Sequence, residues 1–296
     1  MNTKPVVLLV NPHPDDESLG AGGLLAAVSA AGGTPVVVTC TNGEHGFHDH
    51  STIEDTQELI ETRIKEQSAA AEILGFVSEW LGYRDSGMAE SESVTHPESF
   101  HSADLNEATE RLMGFIEKYQ PQVIITQAEN GMYGHPDHIK AWEVAMNAFD
   151  VAERMENPPQ KLYFVTTAHS KIRAIGRAMK DAGMESPFND MADEDEIPVG
   201  MPDEKVTLTL EVAPWGDLKQ RAIRQHDSQL GHREMWQDAP EELYTTFMSQ
   251  EHFILAKSRV DTNPGERHPF DGIAGVEESI APLFPASEPA PTTGQH

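Results

Sequence analysis

The motif HPDDE at residues 13–17 brings an imidazole and two neighbouring aspartates into one short stretch. It follows an apolar, β-branched run at residues 5–10, which is typical of a strand buried on both faces. From Ser18 onward, small and apolar residues recur at helical spacing. The motif is therefore predicted to lie in a strand-to-helix turn, where ligands bind in open α/β sheets. A divalent cation would relieve the concentration of charge there.

A second His-Pro-Asp tripeptide, in the motif GHPDH at residues 134–138, repeats this pattern after another short apolar run. Two loops that each follow a parallel strand can converge on one crevice. His13, Asp16 and one of His135 or His138 would then supply three ligands and leave a fourth position for water. Catalytic zinc sites, unlike structural ones, are built in that way.

Other sequence features argue against competing chemistries. The glycines at residues 20–23 miss the GxGxxG spacing, and acidic residues occupy the helix start where a pyrophosphate would bind. The motif GxSxG of α/β-hydrolases does not occur in the sequence. The single cysteine, Cys40, lies in an apolar run, which favours a packed thiol over a nucleophile.

Strands and helices alternate regularly in the first half of the chain. This alternation predicts an α/β fold, a Rossmann-like, doubly wound and mostly parallel sheet. The second half is less regular, and we expect it to form a smaller C-terminal part. The predicted strands are residues 6–10, 35–41, 79–82, 122–126, 161–166, 206–212 and 252–256. The predicted helices are residues 18–31, 54–74, 105–119, 170–182 and 215–230, with a further helix that starts in the His-Pro-Asp-His loop and runs through about residue 151.

The same patterns suggest a domain organisation. One domain is expected over residues 1–262, with a Rossmann-like metal-binding part at 1–155 and a C-terminal, substrate-side part at 156–262. Residues 263–296 contain many prolines and small residues without periodicity, so they are predicted to form a flexible tail.

Composition narrows the classes of partner. The 296 residues include 49 acidic and 21 basic side chains, a formal net charge of −28. This charge argues against nucleic acid and anionic membranes as partners, since both need clustered Lys and Arg. The sequence has no signal-peptide pattern and no apolar run long enough to span a membrane. One cysteine suits a reducing compartment, so we expect a soluble, cytoplasmic protein.

With these motifs in view, the chain resembles the PIG-L/LmbE family of zinc-dependent N-acetylglucosamine deacetylases. The resemblance covers residues 6–260, and its strongest signals are HPDDE and NGMYGHPDH at residues 130–138. YRDSGMA at 83–89 also matches the family. The C-terminal matches favour its mycothiol branch: PQKLYF at 159–164, the segment 219–229 and EHFILA at 251–256.

The resemblance implies a role for each site residue. It implies zinc bound by His13, Asp16 and His138, a set that also accepts Fe²⁺, Co²⁺ or Mn²⁺. It also implies that Asp15 is the general base and that His135 is a protonated partner, which stabilises the oxyanion or protonates the leaving amine. Asp137 would orient a site histidine, and Tyr133 would lie over the pocket beside the reacting carbonyl. Arg63 and Asp85 would hold sugar hydroxyls.

The implied activity is hydrolysis of the N-acetyl amide of a small amino-sugar conjugate, N-acetylglucosaminyl-inositol in mycothiol synthesis. Cleavage of mycothiol S-conjugates, or deacetylation of another N-acetylated sugar, stays open within the family. A metal-holding sugar-binding module without turnover is an alternative of another class, since it needs the ligands but not Asp15. A third alternative is a nucleotide-binding regulator, which would bind NAD or ATP tightly, and a metal chelator would leave that binding unchanged.

Overall fold

A seven-stranded sheet lies at the centre of the computed structural model, which describes residues 4–46, 56–184, 188, 191, 195–230, 241–263 and 265–284. The strand order is β3-β2-β1-β4-β5-β7-β6. The strands are β1 (Val6–Asn11), β2 (Thr34–Thr41), β3 (Val77–Tyr83), β4 (Val123–Gln127), β5 (Lys161–Thr166), β6 (Leu208–Glu211) and β7 (Gln250–Ser258).

Strands β1 to β5 pair in parallel, whereas β7 is antiparallel to both β5 and β6. The predicted α/β class, with a Rossmann-like and mostly parallel sheet, is confirmed. The order of the strands reverses between β1 and β4, and ligands bind at the carboxyl ends of the strands at such a switch point. Both His-Pro-Asp motifs follow these two strands.

Helices connect the strands and cover the sheet. They are α1 (Asp16–Ala30), α2 (Thr56–Leu74), α3 (Leu105–Tyr119), the single turn α4 (Gly131–Gly134), α5 (Pro136–Val151), α6 (His169–Asp181), α7 (Gly216–Ile223), α8 (Glu241–Met248) and α9 (Glu277–Ile280). The predicted helices agree with α1 to α3, α5 and α6 to within two residues at each described end, because their apolar periodicity and end signals are local.

Two apolar cores pack on opposite faces of the sheet because successive strand residues point to opposite sides. In β1, for example, Val7 and Leu9 belong to one core, while Leu8 and Val10 belong to the other. All four side chains are at most 2% exposed. Burial on both faces holds the ends of β1 and β4 rigidly under the two motifs.

The helix predicted over residues 215–230 is shorter in the structure. Helix α7 ends at Ile223, and the N–H groups of Gln225 and His226 bond three residues back, to Ala222 and Ile223. This tightening turns the chain so that the side chain of His226 is buried against α1. A side-chain contact of that kind cannot be predicted from the spacing of apolar residues.

Residues 266–284 lie within the predicted tail, and several of their side chains are packed into the core. Apolar side chains recur there every three or four residues and are at most 5% exposed within the same core as α1; they are Phe270, Ile273, Val276, Ile280 and Phe284. Buried Lys161 also pairs with Glu266 at 2.6 Å. The many prolines favoured the prediction of a tail, although apolar residues in the same segment pack against the sheet. Residues 285–296 lie outside the described part of the chain.

The sheet runs without interruption across the expected boundary at residues 155 and 156, since β4 and β5 pair directly. Cys40 is buried in β2 as a free thiol. Among the described residues, no helix is both long and apolar enough to cross a membrane.

Candidate active site

The ends of β1 and β4 carry the two motifs into one site. Helix α1 begins at Asp16, five residues after β1 ends, and α5 begins at Pro136. His135 caps α5, because its Nδ1 accepts the N–H of Asp137 at 3.1 Å. The rings of His13 and His138 then lie 5.2 Å apart, centroid to centroid.

The carboxylate of Asp16 lies between two imidazoles. Its Oδ2 is 3.4 Å from His13 Nδ1 and 3.4 Å from His138 Nε2. Two donor atoms bound to zinc at about 2.1 Å in a tetrahedral site are about 3.4 Å apart. The distances to Asp16 therefore suit one shared metal ion.

His138 provides a separate test of this fit. Its side chain is fully buried, and neither ring nitrogen has a hydrogen-bond partner among the described residues. Burial lowers the pKa of His138 to about 4, so the imidazole is neutral at pH 7. A buried, neutral and unpartnered nitrogen is what a metal ligand requires. The residues present fit a metal ion.

Ligand atoms of His13, His135 and His138 also lie within 4.8 Å of one another. A second group at the same spacing comprises His13, Asp85, His135 and Asp137. The carboxylates of this second group already accept hydrogen bonds from the protein. They are therefore better suited to orienting the ligands than to replacing them.

Asp137 orients His13 rather than His135. Its Oδ2 accepts hydrogen bonds from His13 Nε2 at 3.1 Å and from the N–H of Ser86 at 3.0 Å, and its Oδ1 accepts the hydroxyl of Ser86. Because Nε2 of His13 is the donor, Nδ1 is the nitrogen free to bind a metal beside Asp16. The sequence analysis missed Ser86, although it stands in the motif at residues 83–89.

His135 differs from the expectation that it is protonated. Burial and the neighbouring His13 lower its pKa, so the neutral imidazole is favoured. Since Nδ1 accepts the N–H of Asp137, the ring proton of neutral His135 is on Nε2. His135 can therefore donate a hydrogen bond from Nε2 in its resting form.

Asp15 has an unusual backbone and an unusual environment. Its φ is 113° and its ψ is −36°, a conformation that non-glycine residues rarely adopt. Burial raises the pKa of Asp15 to about 7, although Arg63 lies 3.3 Å from its carboxylate and opposes the shift. Asp15 is thus a carboxylate beside the metal set with a pKa near neutrality.

A cavity of about 180 Å³ adjoins Asp15. Its other lining residues are mainly aliphatic and come from α1, from the end of α7 and from the segment after α7: Leu19, Ile223, His226, Gln229 and Leu230. Tyr133 stands at the rim of the site, 48% exposed, with its ring 5.2 Å from that of His138. The site therefore has an open side beside the base and the aromatic ring.

Arg63 and Asp85, expected to hold sugar hydroxyls, are each 2% exposed. Arg63 donates to the carbonyls of Pro14 and Gly43, each at 2.5 Å. Asp85 accepts the N–H groups of Gly87 and His45 at 2.8 and 3.1 Å. These contacts hold the loops of the site, and the sugar contacts stay a prediction.

Glu17 and His226 form a second buried layer that the sequence analysis did not assign. Glu17 Oε1 lies 2.8 Å from His226 Nε2, and neither side chain is more than 1% exposed. Burial disfavours charge on both, but the pair interaction lowers the pKa of Glu17 and raises the pKa of His226. The charged pair is therefore the favoured state.

Comparison with known proteins extends these observations. The family model described as PIG-L, GlcNAc-PI de-N-acetylase, matches residues 8–149. A 1D-myo-inositol 2-acetamido-2-deoxy-alpha-D-glucopyranoside deacetylase of Salinispora arenicola is 32% identical over 291 residues, covering 95% of this chain and 92% of the relative. A mycothiol S-conjugate amidase of Streptomyces coelicolor is also 32% identical, covering 90% and 97%.

A solved structure is similar in fold. It is the N,N'-diacetylchitobiose deacetylase of Pyrococcus horikoshii in complex with its inhibitor MPG, with a TM-score of 0.55 and 22% sequence identity. The similarity covers 90% of this chain and 87% of the other. It extends the likeness to the whole sheet, beyond the residues that the family model matches.

Proposed function

Since the chain belongs to the PIG-L family of de-N-acetylases, we propose that it hydrolyses the N-acetyl amide of an N-acetylglucosamine conjugate. The substrate that we infer is N-acetylglucosaminyl-inositol, which would place the reaction in mycothiol synthesis. The observation that carries the proposal is the position of Asp16 Oδ2, 3.4 Å from each of two imidazole nitrogens, with Asp15 next to it in the chain.

His13, Asp16 and His138 would hold the metal, which we infer to be zinc. Such an ion supplies Lewis-acid chemistry, polarising a carbonyl and lowering the pKa of water. Fe²⁺, Co²⁺ or Mn²⁺ could take the same donors. The neutral state of His138 and the hydrogen bond from His13 Nε2 to Asp137 support this set, since both leave a ring nitrogen ready to bind.

Asp15 would act as the general base that takes a proton from the attacking water. A base works best when its pKa lies near the working pH, and burial raises the pKa of Asp15 to about 7. The strained backbone and the contact with Arg63 fix the direction of its carboxylate. The same carboxyl group could then return the proton to the departing amine.

His135 and Tyr133 would stabilise the oxyanion that forms on the amide carbonyl. The Nε2–H of His135 is available because its Nδ1 accepts a backbone N–H. The ring of Tyr133 lies 6.0 Å from that of His135, so both can face one carbonyl. Losing such a donor typically costs about 10²–10³ in rate.

Cleavage of mycothiol S-conjugates is the second candidate function. A relative with that activity in its name is as similar to this chain as the deacetylase of Salinispora arenicola, at 32% identity. Both names describe cleavage of an amide, so the proposed metal set and Asp15 could serve either reaction.

The test is a comparison of substrates at equal concentration. Release of the free amine would be measured from N-acetylglucosaminyl-inositol, a mycothiol S-conjugate and N-acetylglucosamine. The proposal predicts the highest kcat/KM for the inositol conjugate. Faster cleavage of the S-conjugate would move the chain to the second function, and no cleavage of any substrate by the zinc-loaded protein would contradict both.

We also propose that this reaction takes place in the cytoplasm. Cys40, the single cysteine of the chain, is a free and buried thiol, which suits a reducing compartment. Fractionation of the native host with an antibody to the chain would test this location.

A further inference from the structure

The backbone of Asp15 needs something to hold it. A non-glycine residue at φ 113° is strained, and such strain persists only where surrounding contacts determine the conformation. The N–H of Asp15 donates to Glu17 Oε2 at 2.9 Å. The side chain of Glu17 thus determines the direction of the peptide that carries the base.

Glu17 is in turn fixed by the residues around it. Its side chain is fully buried, and its two oxygens accept four hydrogen bonds. Beside the N–H of Asp15, the donors are Asn11 Nδ2 at 3.2 Å, the hydroxyl of Ser18 at 2.7 Å and Nε2 of His226 at 2.8 Å. Three of the four donors lie within residues 11–18, from the end of β1 to the start of α1.

The fourth donor, His226, comes from the other end of the chain, 209 residues away. It lies beyond residues 8–149, the part that the family model matches. We propose that His226 is a positioning residue for Asp15, acting through the buried carboxylate of Glu17. The C-terminal part thereby helps to fix the position of the base.

His226 is the one of the four donors to Glu17 that lies outside residues 11–18. The nearby guanidinium of Arg63 faces Asp15 at 3.3 Å, whereas Nε2 of His226 faces Glu17. A buried acceptor that loses its donor is left unsatisfied, at a cost in free energy. Without a donor at this position the side chain of Glu17 would move, and its hydrogen bond to the N–H of Asp15 would weaken.

One nitrogen of His226 carries the contact, which allows a conservative test. Its Nδ1 has no hydrogen-bond partner among the described residues, whereas Nε2 faces Glu17. Glutamine can place an N–H donor where Nε2 lies, and leucine fills a similar volume with no donor. His226→Gln should therefore preserve the position of Asp15, and His226→Leu should not.

A matched control is available in the same region of the structure. Lys219 in α7 forms a buried pair with Glu251 in β7 at 2.6 Å, and Glu251 accepts the N–H groups of Gly23 and Leu24 in α1. Lys219→Met removes a comparable buried pair, whose carboxylate also contacts α1, but away from Asp15. A merely structural role for His226 predicts that Lys219→Met and His226→Leu behave alike.

The kinetic test rests on the proposed function and uses deacetylation of N-acetylglucosaminyl-inositol by zinc-loaded protein. His226→Leu should lower kcat about 10- to 100-fold with KM within about twofold, since misplacing a catalytic group by about 1 Å has effects of that size. His226→Gln should restore kcat to within about threefold. Lys219→Met should lower Tm but not kcat.

A second measurement needs no turnover and separates the two proposals. Amide hydrogen exchange of the segment 11–18 should be at least about tenfold faster in His226→Leu, and unchanged in His226→Gln and Lys219→Met. Equal exchange in all four proteins, or equal loss of kcat in His226→Leu and Lys219→Met, would overturn the positioning role. Absence of turnover with the expected exchange pattern would contradict only the proposed function.

Discussion

Asp15 and Asp16 are adjacent in sequence, yet the structure gives their carboxylates opposite properties. Burial raises the pKa of both, and at Asp15 this effect prevails over Arg63 and brings the pKa to about 7. At Asp16 the neighbouring His138 and His13 prevail, and they lower its pKa. Environments that separate two pKa values in this way typically separate a base from a ligand.

Replacement of the base should separate metal binding from catalysis. Asp15→Asn removes the proton acceptor but keeps the size of the side chain and all three ligands. Loss of a general base typically costs about 10²–10⁴ in rate, so we expect kcat to fall by that factor with zinc content unchanged. Amine release and metal analysis of the same sample measure both quantities. Full turnover by Asp15→Asn would refute the assignment of the base.

Ser86 should affect the metal through Asp137. The N–H and hydroxyl of Ser86 both donate to that carboxylate, which orients His13. Ser86→Ala removes the hydroxyl contact, and loss of such a partner typically weakens metal affinity about 10- to 100-fold. Competition with a chelator of known affinity measures the change. Ser102→Ala, an exposed serine nearby, is the control and should bind zinc as the unaltered protein does.

At the scale of elements, the contact between α1 and the end of β6 depends on a glycine. A Cβ at Gly23 would lie 2.5 Å from Cβ of Val212, closer than real side chains come. Gly23→Ala should therefore destabilise the protein by about 1–3 kcal/mol through overpacking. Gly114, in the exposed middle of α3, has nothing within 4 Å of its Cβ position, so Gly114→Ala should stabilise by about 0.5–1 kcal/mol. Urea unfolding measures both, and equal effects would contradict the packing described for α1.

The segment after β7 also makes a stability prediction. Phe270 is fully buried, and replacing a buried phenylalanine by alanine typically costs about 3–5 kcal/mol. Phe270→Ala should therefore lower Tm strongly, as followed by calorimetry, whereas Glu278→Ala at an exposed position of α9 should not. An unchanged Tm for Phe270→Ala would contradict the packing of this segment and favour the predicted flexible tail.

The spacing of apolar residues predicted the strands and most helices, because it shows which side of each element is buried. It placed His13, Asp16 and the pair His135 and His138 next to strongly patterned elements, whereas the choice of His138 as a ligand came from the family resemblance. The same spacing could not locate His226, because its partner Glu17 lies 209 residues away in the sequence. It also missed the packing of Phe270, because composition rather than spacing decided the reading of that segment.

At the scale of the whole molecule, the reversal of strand order between β1 and β4 produces the site. Parallel strands in the order β3-β2-β1-β4-β5 leave a crevice where neighbouring loops diverge, and both His-Pro-Asp motifs lie at that point. The chain carries a formal net charge of −28, which disfavours polyanionic partners. The C-terminal part closes one side through α7 and the segment after it.

The most direct test of the account is a zinc titration of metal-stripped protein, followed by release of acetate from N-acetylglucosaminyl-inositol. We predict no turnover without metal, a linear rise with added zinc, and saturation at one ion per chain. His138→Ala should bind zinc much more weakly and stay inactive over the same range. Turnover by the metal-stripped protein that added zinc leaves unchanged would contradict the central claim.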